Sequence, residues 1–282
     1  MNVVPFDHST AVRELHAVAA RLAALTGTGA DLDTPVPGLD WTASQVVSHL
    51  VMAARVFTGA LRGEGSRWAG LTPDVPASAL FSQRLAAVNA QAIALAAGWP
   101  DRAADELPAA YAALLAAAGH SAQDPERVSL APWYGPRFTL RGRTALALAL
   151  AESLVHGLDI ARATGQPWPV PPDAARVALG EIMTCMLPVM LDPTTADGFT
   201  GSFDVAIRGG VRFVIDVAGL AAEVSSARSR PVDCHISIAP VPALLLAYGR
   251  ISRWRVAAAG GVTAWGRRPW LAWRFPVLFQ RP

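Results

Sequence analysis

The chain has 282 residues, 52% of them hydrophobic and 16% charged, with a formal net charge of +2. That much apolar side chain excludes a disordered tail protein and is enough for one large domain or two smaller ones. The apolar runs "TALALALAESLVHGL" and "VPALLLAYG" are broken by ionisable or turn residues short of the roughly 18–20 residues that span a bilayer, so no transmembrane segment is expected.

The N-terminus, "MNVVPFDHST", lacks a basic region followed by an apolar one, so no secretory signal is expected and a cytoplasmic location is. Cys185 and Cys234 share no metal-type spacing and sit among apolar residues, which reads as two buried thiols in a reducing compartment. Every basic residue is arginine. Residues 1–165 carry 12 Arg against 14 acids, residues 166–282 carry 12 against 8, and from Val241 onward there are seven Arg and no acid. This asymmetry suggests two units of separate composition and an anionic partner near the C-terminal end.

In chain order, residues 9–25 repeat apolar side chains at intervals of three and four, as a helix does. After the loop "TPVPGLD", Thr42 followed by Gln45 is a capping-box pattern that starts a second helix near Ala43. Its solvent face is expected at Ser44, Ser48, Arg55 and Arg62. Alanine-rich segments over 77–97 and 104–119 read as two more helices. "APWYGPRF" reads as a loop, and 140–164 as the last long helix, closed by Gly165. Several antiparallel helices with short connections predict a bundle over 1–165.

"QPWPVPPD" is a stiff linker, and a helix is expected over 173–190. The period then changes to two in "FDVAIRGGVRFVIDV", a β-hairpin turning at Gly209-Gly210, and again in "DCHISI". A helix at "VPALLLAYG", a strand near 255–265 and a closing helix at "RRPWLAWRFPVLF" complete residues 166–282. The overall fold class is α+β: a helical bundle followed by a smaller domain with a mainly antiparallel sheet.

The last long helix poses a chemical question. It is apolar nearly all round, yet Glu152, His156 and Asp159 share one stripe, since residues four apart return to the same face. Polar groups on such a helix need a partner, a cavity or a metal. His49 lies among Val46, Met52, Ala53 and Val56, away from the expected solvent face of the second helix. His49, Glu152 and His156 therefore make a candidate three-ligand set with one open position, as in catalytic zinc sites. The alternative is a simple Glu152–His156 ion pair and a core histidine at 49. Asp159 either orients His156 or bonds Arg162 or the backbone; Trp133 and Tyr134 either wall a pocket mouth or simply pack.

Two segments carry a family resemblance. "GLDWTASQVVSHL" resembles a "GWTVRDVVAHL"-type segment of the mycothiol-dependent maleylpyruvate isomerase family, and "WYGPRF" followed by "AESLVHGLDIARATG" is similar to its second signature. The resemblance implies a DinB-like metal-binding four-helix bundle and a sterol-carrier-like C-terminal domain, with a substrate pocket between them. It further implies a divalent metal, most plainly Zn2+, on His49, Glu152 and His156, with mycothiol as thiol cosubstrate and an electrophilic small molecule as partner. The helical segment around 77–98 departs from the shorter family members. By the same resemblance, arginines of the second domain face the metal cleft, Arg250 being preferred over Arg253 and Arg255. The activity implied is isomerisation or thiol transfer; a mycothiol S-transferase, or a metal-binding or regulatory module without turnover, are the alternatives. The Arg- and Trp-rich tail, including Trp254, leaves an anionic lipid surface open, whereas a net charge of +2 does not suit nucleic acid. No glycine-rich phosphate loop, GxSxG elbow or HExxH motif is present.

Overall fold

The computed structural model describes residues 6–27, 29, 31–71, 74–76, 79–96, 103–225 and 231–282. It divides into two compact units, one formed by Asp7–Ala79 and Gln83–Ala174, the other chiefly by Ala175–Pro282 with Leu80–Ser82.

The first unit is built on α1 (His8–Gly27), α2 (Ala43–Arg62), α3 (Phe81–Ala96), α4 (Ala103–Ser121) and α5 (Gly142–Thr164). Helix α2 starts at Ala43 because the capping box forms. Thr42 Oγ1 accepts from the Gln45 N–H at 3.3 Å, and the Gln45 side chain accepts from the Thr42 N–H at 2.9 Å. Helix α5 ends where Gly165 turns left-handed, φ +70°, its N–H donating to the Ala161 carbonyl. Helices α1 and α2 each pack against α4 and α5, making a four-helix core. Helix α3 buries only Val88, Ala92 and Ala96.

Four expectations for this unit need correction. Ser44 and Ser48 are buried, not on a solvent face, because α2 is pressed between α4 and α5; the Ser48 hydroxyl is satisfied by the Ser44 carbonyl at 3.1 Å. The helix expected from 140 begins at Gly142, since Thr139–Arg141 (β2) pairs antiparallel with Val128–Leu130 (β1). That two-stranded ribbon brackets the "APWYGPRF" loop, and its three-residue strands are too short to show a period. The helix over 77–97 is confined, among the described residues, to Phe81–Ala96. Helix α5 is long and apolar enough to cross a membrane, but its most apolar window is 89% buried in the bundle.

The second unit opens within α6 (Pro172–Met186), which gives way to a 3-10 turn over Leu187–Met190 where Pro188 ends the α geometry, and the short α7 (Pro193–Ala196) follows. Strands β3 (Thr200–Ile207), β4 (Arg212–Ala218), β5 (Ala221–Ser225), β6 (Cys234–Ile238) and β7 (Val262–Trp265) form one sheet in the order β5-β4-β3-β6-β7. All neighbours are antiparallel except β3 and β6. Gly209, at φ +73°, makes the β3–β4 turn. Alternation puts Phe203 opposite Ile215, both fully buried.

Strand β5 escaped the sequence reading because "AAEVS" offers little β-branched content. The strand expected near 255–265 is only Val262–Trp265; before it, Ser252 caps the helix α9 (Arg253–Ala258) through the Arg255 N–H. Helix α8 (Pro240–Ala247) forms as expected, while the closing helix is short: α10 (Leu271–Arg274), then a 3-10 turn at Phe275–Val277. Neither Cys185 nor Cys234 is in a disulfide; Cys234 is buried, but Cys185 is only half-buried at the end of α6, where its Sγ–H donates to Glu181 at 3.2 Å.

Candidate metal centre

Helix α5 presents Glu152 and His156 one turn apart, as its period dictates, and α2 brings His49 to the same point from 103 residues away. His49 Nε2 and His156 Nε2 each lie 3.2 Å from Glu152 Oε2. The imidazole centroids are 4.7 Å apart, edge to face. One ligand atom from each of the three lies within 4.8 Å of the others. The two histidines are buried, and Glu152 keeps some exposure, so the trio is not sealed from solvent.

These spacings fit a cation. Metal–ligand bonds of about 2.0–2.1 Å in a tetrahedron set ligand atoms about 3.3 Å apart. The same 3.2 Å also lies within hydrogen-bond range, and without metal both imidazoles bond Glu152 there. The donor set, two imidazole nitrogens and one carboxylate oxygen, is one that zinc and its neighbours accept.

Asp159 lies one further turn along α5, 1% exposed, with Oδ2 3.0 Å from His156 Nδ1. The His156 Nδ1–H donates to it, which leaves Nε2 turned toward Glu152. Burial alone would lower the His156 pKa, but the bonds to Asp159 and Glu152 outweigh it and raise it to about 9. Burial would raise Glu152, yet hydrogen bonds from His156 and His49 hold it well below the usual carboxylate range. His49 is pushed down, chiefly by burial, with the charge on His156 adding to the effect. Without metal, the cluster thus carries an anionic Glu152, a cationic His156 and a neutral His49.

Trp41, which the sequence reading passed over as a functional residue, stands over both imidazoles. Its ring is 5.4 Å from that of His49 and 6.3 Å from that of His156. The Val36 N–H to Trp41 carbonyl bond at 2.8 Å and the adjoining cap at Thr42 fix the indole there. Its place in "GLDWT", immediately before a capped helix that carries a candidate ligand, is the signal that could have found it. The Tyr111 hydroxyl, near enough to Glu152 to feel its charge, shares a 2.8 Å bond with Ser153 Oγ, and burial raises its pKa.

Trp133 and Tyr134 are buried rather than at an exposed mouth, because the bonds Tyr134 N–H to Ala131 and Gly135 N–H to Pro132 fold the loop inward between β1 and β2. Trp133 packs edge-on to Phe57 of α2 at 6.3 Å and lies beside the Tyr134 ring, 5.9 Å between centroids. Burial raises the Tyr134 pKa, and the Glu152 charge raises it further. Arg250 lies in the other unit, after α8, where its Nη1 donates to the Tyr248 carbonyl at 2.6 Å. Arg253 donates to the Trp273 carbonyl and covers that ring, while Arg255 and Trp254 face solvent.

Among curated proteins, none matches the sequence. A crystal structure of mycothiol-dependent maleylpyruvate isomerase matches the chain with a TM-score of 0.54 at 14% identity, covering 94% of this chain and 95% of the other. A histidine-to-alanine variant of that enzyme matches with a TM-score of 0.51 at 13% identity and the same coverage. At such identity the likeness establishes a shared fold. The family profile described as the mycothiol maleylpyruvate isomerase N-terminal domain matches residues 12–161, more than half of the chain and the whole segment that carries His49, Glu152 and His156. The chain therefore belongs to the mycothiol maleylpyruvate isomerase family.

Proposed function

We propose that the protein is a metal-dependent, mycothiol-using enzyme that adds a thiol to an electrophilic small molecule. The observation carrying this reading is the meeting of His49 Nε2 and His156 Nε2 on one oxygen of Glu152, at 3.2 Å each. His49, Glu152 and His156 are the ligand set, and Zn2+ is the metal that this donor chemistry suits. A metal held there supplies positive charge that keeps a thiol deprotonated at neutral pH, well below its ordinary pKa near 8.5.

The protein's own residues do the rest. Asp159 keeps the His156 proton on Nδ1 and so frees Nε2 for coordination. Glu152 contributes one negative charge, and His49 stays neutral through burial. Trp41 shields the imidazole faces from water. Trp133 and Tyr134, the latter close enough to feel the Glu152 charge, are the aromatic side chains we assign to the wall of the thiol site. The thiol sulfur bonds to an electrophilic carbon. In an isomerase the adduct turns about the former double bond and the thiol departs; in a transferase the sulfur stays on the product. Family membership favours the first, and the cytoplasm is the compartment we assign.

Metal analysis of purified protein beside His49→Ala and Glu152→Ala tests this. One divalent ion per chain, lost in both variants with helix content intact, is the expected result. Equal metal in all three would overturn the ligand set. Metal without turnover of mycothiol and an activated alkene would make the protein a binding module.

A further inference from the structure

Beyond the metal centre, the densest unused chemistry lies at the C-terminal end of the second unit. After Asp233 the chain has no further acid, yet seven arginines follow. Three tryptophans of the same stretch stand in solvent, Trp254 at 68%, Trp270 at 64% and Trp265 at 49% exposure. Exposed indoles forgo a large burial gain, and three within seventeen residues form a feature that the fold does not explain.

Two of these three belong to one corner. Trp254, on α9, meets the Trp273 ring at 4.2 Å, and the Arg253 guanidinium covers that same ring at 4.6 Å. Trp270 sits one turn before Trp273, whose N–H donates to the Trp270 carbonyl at 3.1 Å. Helices α9 and α10 are thus tied together, with Trp254 and Trp270 left outward. Arg255 and Arg274 lie on the same two helices, exposed, and form no ion pair among the described residues.

We infer that this corner docks the protein peripherally on an anionic phospholipid bilayer. Indoles favour the headgroup layer, where an apolar ring and a wet N–H are both accommodated, and guanidinium groups pair with lipid phosphates. A single-stranded nucleic acid would need open ring faces along a basic groove. Here Trp254 already spends a face on Trp273, and Trp265 lies flat against His235, 5.3 Å between centroids and 7° between planes.

Vesicle co-sedimentation of the full chain tests the inference. It compares phosphatidylcholine alone with phosphatidylcholine mixed with phosphatidylglycerol. Retention on the mixed vesicles should exceed that on the neutral ones by about tenfold and fall as salt is raised. Trp254→Ala/Trp270→Ala should lose most of it. Arg255→Glu/Arg274→Glu, at two exposed positions, should lose it as well with helix content and melting temperature held, Arg274 giving up only its place over the Phe199 ring. Arg62→Ala, on an exposed position of α2, should bind as wild type. Tryptophan emission should shift to the blue on mixed vesicles only. Equal binding to both vesicle types, no binding, or unchanged binding by both double variants would overturn the proposal. Retention of single-stranded DNA instead of vesicles, or a dimer dissolved by the tryptophan variant, would overturn it too and assign the corner to those partners.

Discussion

His156 and Asp159, three residues apart on one buried helix, are joined by a 3.0 Å contact between Nδ1 and Oδ2. The contact leaves only one imidazole nitrogen facing Glu152. Asp159→Asn keeps the shape but removes the charge and can present an N–H to Nδ1, so the tautomer is no longer held. Metal affinity should drop about 10–100-fold, read by competition with a chromophoric chelator. Unaltered affinity would reduce Asp159 to a packing residue.

Metal binding should also release a proton. In metal-free protein His156 is protonated below a pKa of about 9, and a metal must displace that proton. Affinity should therefore fall by about tenfold for each pH unit below that value. His49, pushed down by burial, adds no second proton near neutrality. Calorimetry in buffers of differing ionisation enthalpy counts the protons directly. A pH-independent affinity between neutrality and about pH 8 would contradict the assignment.

Asp7 gives a pH signature unrelated to the site. Its Oδ1 caps α1, accepting from the Thr10 N–H and the Ser9 hydroxyl at 2.9 Å each, and the backbone bond chiefly lowers its pKa to about 2. The sign follows from the shift: the cap's contribution is complete above the ordinary value of 3.8 and lost as pH falls through about 2. Asp7→Ala should cost roughly 0.5–2 kcal/mol near neutrality, and the gap to wild type should close in strong acid. Denaturant melts across pH measure both.

Gly157, next to His156, leaves room for nothing larger. A Cβ there would lie 2.0 Å from Trp168 Cζ2, in a ring pinned by its Nε1–H to the Leu154 carbonyl at 2.9 Å and by Arg21 at 4.0 Å above it. Gly157→Ala should destabilise by about 1–3 kcal/mol or more, despite its gain in helix propensity. In a double-mutant cycle with Trp168→Ala the two costs should not add, because the shorter side chain removes the clash.

Much of this protein was legible from local pattern. The capping box at Thr42 and Gln45, the stop at Gly165, the hairpin at Gly209 and the Glu152–His156–Asp159 stripe all depend on neighbours within a few residues. The period of the backbone alone settles such features. Other features left no local trace. The burial of Ser44 and Ser48 comes from α4 and α5 closing on α2. The inward fold of Trp133 comes from a ribbon whose strands are three residues each.

The candidate centre divides along the same line. One helix by itself determines that Glu152, His156 and Asp159 share a face. That His49 reaches that face, that Trp41 covers it and that both imidazoles are buried were decided by the packing of α2 against α5. Periodicity tells which side chains point together, but not which two faces meet. The meeting of faces depends on the burial of apolar surface summed over all four helices, and no short stretch of sequence contains that sum.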